Sequence, residues 1–251
     1  MNALALSCLI FALTLGGILL GAWLRRTLPG HHLEKGSQDV VRLGVGLIAT
    51  MAALVLGLLI SSAKSTYDTQ SGQIKQITGD LILLDNLLAE YGPPAIPIRN
   101  QLRSAIGPFA DRIWHEKAVT TAAPFATLAA AEKIALEIQT LSPQNEAQKS
   151  LQARAVQVTT DLSQTRLLLF TEVDKAIPLP FIAILAFWLI IIFASFSLFT
   201  AMNVTTFTCL SLFALSTSCA IFLILELSEP FTDLLMISSA PLRDALGPIV
   251  P

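Results

Sequence analysis

The stretch "GLLISSAKSTYDTQSGQIKQ", Gly57–Gln76, turns from membrane-grade apolar sequence to polar sequence within a few residues. It holds no proline, and no glycine after the change until Gly72, so nothing ends a helix where the apolar run ends. Upstream lies the uncharged run Leu43–Ala63. Downstream, apolar residues fall at Tyr67, Ile74, Ile77, Leu81, Leu84, Leu88 and Tyr91. After the first gap their spacings alternate three and four, which marks one buried helical face. "YGPPAIP", Tyr91–Pro97, then stops the pattern, because proline removes a donor and restricts its neighbour. The sequence therefore predicts one unbroken helix over Leu43–Tyr91, roughly 70 Å long at 1.5 Å per residue. Its apolar face exchanges lipid and membrane helices for other helices in water.

The rest of the composition agrees with a lipid setting. Of 251 residues, 53% are hydrophobic and 14% charged, with mean hydropathy +0.66, where soluble domains are about a quarter charged. A net charge of −2 leaves no basic footprint for nucleic acid. A span needs about 20 apolar residues to cross roughly 30 Å of hydrocarbon. Ala3–Leu24 and Leu43–Ala63 each meet this, and the charge-free stretch Ala176–Leu225 fits two more spans, divided near "MNVTT", Met202–Thr206. The first run lacks a basic n-region, and "GAWLRR" is no small-residue cleavage site, so it reads as a span and not a signal peptide. Cys8, Cys209 and Cys219 all lie in apolar runs and read as small packing residues.

These features define an all-α membrane protein with four transmembrane helices in two pairs and a helical bundle inserted between spans 2 and 3. The expected division is residues 1–63 for the first pair, 64–175 for the extramembrane domain, 176–226 for the second pair, and 227–251 for an amphipathic tail. Further helices are predicted at Ile98–Val119, Ala126–Leu141 and Gln144–Lys175. The last carries a seam of Leu151, Ala155, Val158, Leu162, Leu169 and Val173, and leads to a kink at "IPLP", Ile177–Pro180. In the tail, Leu242 and Leu246 are expected to pack on the bundle. Four spans put both termini and the inserted domain on one side. The loop Arg25–Arg42 holds Arg25, Arg26, Lys35 and Arg42, so the positive-inside rule leans toward an external domain.

Residues with chemical potential are few. His31, His32 and His115 have poor ligand spacing and no cluster to complete a metal site. No phosphate loop, nucleophile elbow or HExxH is present, so neither an enzyme nor a cofactor is expected. Span 2 is more informative, because Gly46, Thr50, Ala53, Gly57 and Ser61 put small side chains on one face. The plainer reading is a packing seam that lets helices approach closely. The sharper one is a face turned to a pore. Lys64 follows at the membrane edge, where it either snorkels or faces an anion. Glu226 and Glu229, in "LELSEPF", border an ion path or make structural pairs, with Lys64 or Arg243 as partners.

The order of elements resembles the bestrophin family: two spans, a helical domain, two spans and a C-terminal segment. "SAKSTYD", Ser62–Asp68, is similar to a Ser-Tyr-Asp segment after the second bestrophin span, and "EPF", Glu229–Phe231, to the acidic-Pro-Phe motif after the fourth. "HHL", "VVRLGVGLIATMAALVLGLLISSAKSTYD", "FLILELSEPF" and "ISSAPLRDAL" resemble more closely a family of bacterial membrane proteins called bestrophin-like. The resemblance implies a homo-oligomer, a pentamer, conducting small inorganic ions through a pore lined by span 2 in the bacterial inner membrane. It also implies a cytoplasmic inserted domain, against the charge rule. Matched without gaps from Tyr67, the family's pore-narrowing positions fall at Gly46, Thr50 and Leu54. A slip of one residue presents Leu47, Met51 and Val55 instead. Glu229 and Asp233 alone supply too few oxygens for the calcium clasp of animal bestrophins. The alternative reading is a non-conducting sensor or adaptor whose helical domain binds a protein partner.

Overall fold

The computed structural model describes residues 3–29, 35–115, 124–172, 179–228, 230–231 and 235–245. They form α1 (Ala3–Thr27), α2 (Lys35–Tyr91), a 3-10 turn (Pro93–Ala95), α3 (Ile96–His115) and α4 (Pro124–Thr140). Then follow α5 (Glu146–Glu172), α6 (Leu179–Phe199), α7 (Val204–Leu227) and the short α8 (Ala240–Asp244). No strand occurs among the described residues. The fold is all-α, and α1, α2, α6 and α7 are each long and apolar enough to cross a membrane. Two compact units result: Met1–Thr66 with Ala176–Ser228, and Tyr67–Lys175 with Glu229–Pro251. The unbroken α2 contributes to both, as the absence of a breaker predicts.

In the first unit the extensive helix packing is that of α1 on α6 and on α7. Neighbours in sequence are therefore not the tightest neighbours in space. The approach of α1 to α6 is close enough to require glycine. A Cβ at Gly21 would collide with the Ala194 carbonyl oxygen, and one at Gly17 would lie 3.0 Å from that of Ile190. Hydroxyls then bond across the seam: Ser197 Oγ donates to the Ile18 carbonyl at 2.6 Å, and Ser218 Oγ to that of Ser7 at 2.7 Å. Helices surrounded by lipid gain nothing from apolar burial between them, so small residues and such bonds hold them together. The cysteines do not take part. Cys8, Cys209 and Cys219 are all exposed, which corrects their reading as packing residues within the chain.

The second unit has an ordinary apolar core. The predicted face of α2 is buried from Ile74 through Tyr91, with Ile77 and Leu84 fully enclosed, while Tyr67 packs at its margin. It meets Ile98, Leu102, Ile106 and Phe109 of α3, Ile134 and Ile138 of α4, and Ala155, Val158, Leu162 and Leu169 of α5. Leu151 is partly buried beside them, and Val173 lies outside the described residues. Helix ends are closed by side chains of α5. Gln148 Nε2 donates to the Tyr91 carbonyl at 3.0 Å, and Gln152 Nε2 to the Ile138 and Leu141 carbonyls at 2.9 Å each. These occupy carbonyls that a helix terminus leaves without an intrahelical donor. Gly92, at φ 103°, takes the left-handed turn between α2 and the 3-10 turn, where a side chain would be strained.

A charge cluster joins α2 to α3. Arg99 and Arg103, one turn apart, each grip the Asp85 carboxylate through Nε and Nη2, with all four distances between 2.8 and 2.9 Å. The tail packs on the same unit. Leu242 is fully buried, Trp114 Nε1 donates to the Ile237 carbonyl at 2.7 Å, and the Trp114 and Phe231 rings meet edge to face at 5.7 Å. Arg243 pairs with Asp111. Leu246 falls outside the described residues, as do Ile177 and Pro178 of the expected kink, whereas Leu179 and Pro180 open α6.

Candidate functional site

The membrane half of α2 differs from the other three apolar helices in how little it packs. In its most apolar window 11% of residues are buried, against 33%, 39% and 28% for α1, α6 and α7. One stripe, Val45, Ala52 and Ala63 with Ile48, Leu56 and Leu59 beside it, turns inward, and all but Ala63 join the cluster formed with α6 and α7. The spacing is helical, so the opposite face is presented outward as a unit.

That outward face carries every candidate pore residue. Gly46, Thr50, Leu54, Gly57 and Ser61 are all exposed in the single chain. A Cβ at Gly46 or Gly57 would meet no atom within 4 Å. Among the described residues nothing of the same chain packs on the small-residue stripe at Gly46 or Gly57. The close approach it seemed to offer belongs to Gly17 and Gly21 of α1. Thr50 Oγ1 donates back to the Gly46 carbonyl at 2.9 Å, which secures the hydroxyl proton and leaves its oxygen lone pairs outward. Beside the small stripe runs an apolar one, Leu43, Leu47, Met51, Leu54 and Leu58, exposed from 44% to 77%. The exposed arc holds both candidate registers, with Val55 half-buried at its edge.

Lys64 is exposed just beyond the apolar run, whereas Glu226 is only 2% exposed near the end of α7. Glu229, Asp233, His31 and His32 lie outside the described residues, as does the side chain of His115. Sequence reasoning missed one feature of this unit. A cavity of about 300 Å³ lies between α2 and α6, lined by Gln38, Arg42 and Gly46 on one side and Ser195, Phe196 and Thr200 on the other. Only its polar residues carried a signal, and they gain meaning once α6 is set opposite them.

An α-helical chain with four helices able to cross a membrane and an inserted helical bundle is a multi-pass membrane protein in architecture. The bestrophin-like domain family matches residues 12–242, nearly the whole chain. The chain belongs to the bestrophin-like family. Comparisons with curated proteins and with solved structures return no match.

Proposed function

We propose that the protein is an oligomeric ion channel, a pentamer, whose subunits surround a pore lined by α2. Gly46, Thr50, Leu54, Gly57 and Ser61 face the ion path, Leu54 narrows it, and Lys64 stands at its mouth. By the order of the four spans, Glu226 and Glu229 belong to the same membrane edge as Lys64. The observation that carries this reading is the outward face of α2, small and hydroxylated, on which no other helix packs closely among the described residues. Family membership supports it. Repetition of one exposed face around a symmetry axis gives a closed assembly with that face at its centre. Small residues there leave room for water, and an apolar ring gates by dewetting.

The test is single-channel recording of the purified protein in planar bilayers, after its mass has been measured. The reading expects discrete, salt-dependent currents and a larger unitary conductance in Leu54→Ala. Reversal potentials in a salt gradient then give the sign of the ion. A folded oligomer that stays silent across voltage, pH and calcium overturns it in favour of a non-conducting adaptor.

A further inference from the structure

Ion conduction gives no role to the cavity of about 300 Å³ between α2 and α6. Arg42 immediately precedes the apolar run of α2, and Thr200 follows Phe199, the last residue of α6. Both line the cavity, so it opens where two spans reach the same membrane edge. Val45 and Ala49, also in its wall, lie roughly 5 and 10 Å deeper along α2 at 1.5 Å per residue. The wall thus turns from polar at the edge to apolar inward. Small-molecule sites begin near roughly 300 Å³ and combine apolar walls with a few polar groups that orient the ligand. This cavity has that size and that composition.

Its polar groups are unengaged. Among the described residues Arg42 has no ion pair or hydrogen bond, and neither have Gln38, Ser195 and Thr200 of the same wall. Arg42 is the single charged side chain that lines the cavity, and Asp39 stands outside the wall. A guanidinium's planar fork of donors matches a phosphate. The same edge is basic beyond the cavity. Gly17 and Gly21 of α1 lie against Ile190 and Ala194 of α6, so the two helices run parallel and their last turns come level. The last turn of α1 holds Arg25 and Arg26, and Arg25 Nη1 is buried with no hydrogen-bond partner among the described residues. Basic pockets between spans at a membrane edge attract anionic lipid heads. A choline or ethanolamine head would bring its ammonium to Arg42 with no carboxylate in the wall to receive it. A free inorganic anion would use the arginine alone and leave the apolar end unfilled. A phosphate that carries a diol and acyl chains meets every part: its anion Arg42, its hydroxyls Gln38, Ser195 and Thr200, its chain Val45 and Ala49. We propose that this cavity binds an anionic glycerophospholipid of the phosphatidylglycerol type.

The experiment is native mass spectrometry of the full-length protein in detergent, titrated with dioleoyl phosphatidylglycerol and separately with dioleoyl phosphatidylcholine. Saturable binding of phosphatidylglycerol is expected, tighter than that of phosphatidylcholine. Arg42→Gln should weaken phosphatidylglycerol by about tenfold or more, the worth of a charge-assisted bond, and bring it level with phosphatidylcholine. Arg26→Gln, at an exposed arginine outside the wall, should leave the preference in place. Glycerol phosphate at equal concentration should not displace the lipid, since it has no chain for the apolar end. Equal binding of the two lipids by the wild type overturns the proposal. So does a preference that Arg42→Gln leaves intact, or that Arg26→Gln removes equally. Displacement by glycerol phosphate would make the ligand a soluble phosphate and overturn the lipid. Should Arg42→Gln fail to fold by circular dichroism, Ala49→Phe, which fills the apolar end and keeps the arginine, decides in its place. Undiminished phosphatidylglycerol binding there refutes the site.

Discussion

Replacing Asp85 by asparagine tests the charge cluster that ties α2 to α3. Asp85 is 3% exposed, and its carboxylate receives four hydrogen bonds from two guanidinium groups. The amide keeps the shape of the carboxylate but leaves Arg99 and Arg103 side by side without a countercharge. Breaking a buried pair by removing one partner costs roughly 3–5 kcal/mol. The side chains of Arg99 and Arg103 are 34% and 18% exposed, so water relieves part of that cost. We place the loss near the lower end, about 3 kcal/mol, or roughly 10 °C in Tm for a domain of this size.

Titration gives a second route to a similar number. Burial pushes the Asp85 carboxyl up, but hydrogen bonds from Arg103 and Arg99 and their charges outweigh it, leaving a pKa of about 2 in place of 3.8. A carboxyl depressed on folding stabilises the protein above its unfolded pKa and loses that contribution as pH falls through the folded value. The contribution is on the order of 2 kcal/mol at neutral pH, and it is lost between about pH 4 and pH 2. The assay is thermal unfolding followed by Trp114 fluorescence in a Trp23→Phe, Trp188→Phe background, which confines the signal to the helical domain. The Tm gap between wild type and Asp85→Asn should be wide at pH 7 and shrink toward pH 2. A gap under about 2 °C at pH 7, or one independent of pH, refutes the reasoning.

Three further outcomes follow from the same structure. Asp80 behaves oppositely: burial and the charge of Asp161 raise its pKa, so its ionised form opposes folding, and Asp80→Asn should raise Tm at pH 7 with a gain that vanishes in acid. Gly21→Ala should separate α1 from α6 and lower the yield of folded protein by detergent size-exclusion chromatography, while Gly16→Ala, with nothing within 4 Å, should not. In a background with Cys8, Cys209 and Cys219 replaced by Ala, Thr50→Cys and Ser61→Cys should react with charged aqueous thiol reagents. Ala52→Cys, on the inward stripe at 5% exposure, should stay protected. Equal protection of all three would remove α2 from any aqueous path.

The four apolar helices and the unbroken α2 were legible because their causes are local. Hydrocarbon thickness sets the length of a span, and a helix continues wherever no proline or change of period stops it. The buried face of α2 from Ile74 to Tyr91 and the anchoring Leu242 could be read for the same reason, since amphipathic spacing records burial without naming the partner. Membership of the bestrophin-like family was likewise carried by contiguous motifs.

Partnership was not legible. Two stripes of small residues compete in this sequence, one on α1 and one on α2, and nothing in their spacing says which meets another helix. The carbonyls of Ile190 and Ala194 decide it by lying against Gly17 and Gly21, and the stripe on α2 is left facing outward. The grip of Arg99 and Arg103 on Asp85, and the placing of Arg42 in one cavity wall with Ser195 and Thr200, depend in the same way on which turns of separate helices come level. The helices, their lengths and their apolar faces follow from neighbours along the chain, so they could be read from it directly. Which faces touch depends on close approach and ion pairing between residues far apart in sequence, and so emerges only once the chain is folded.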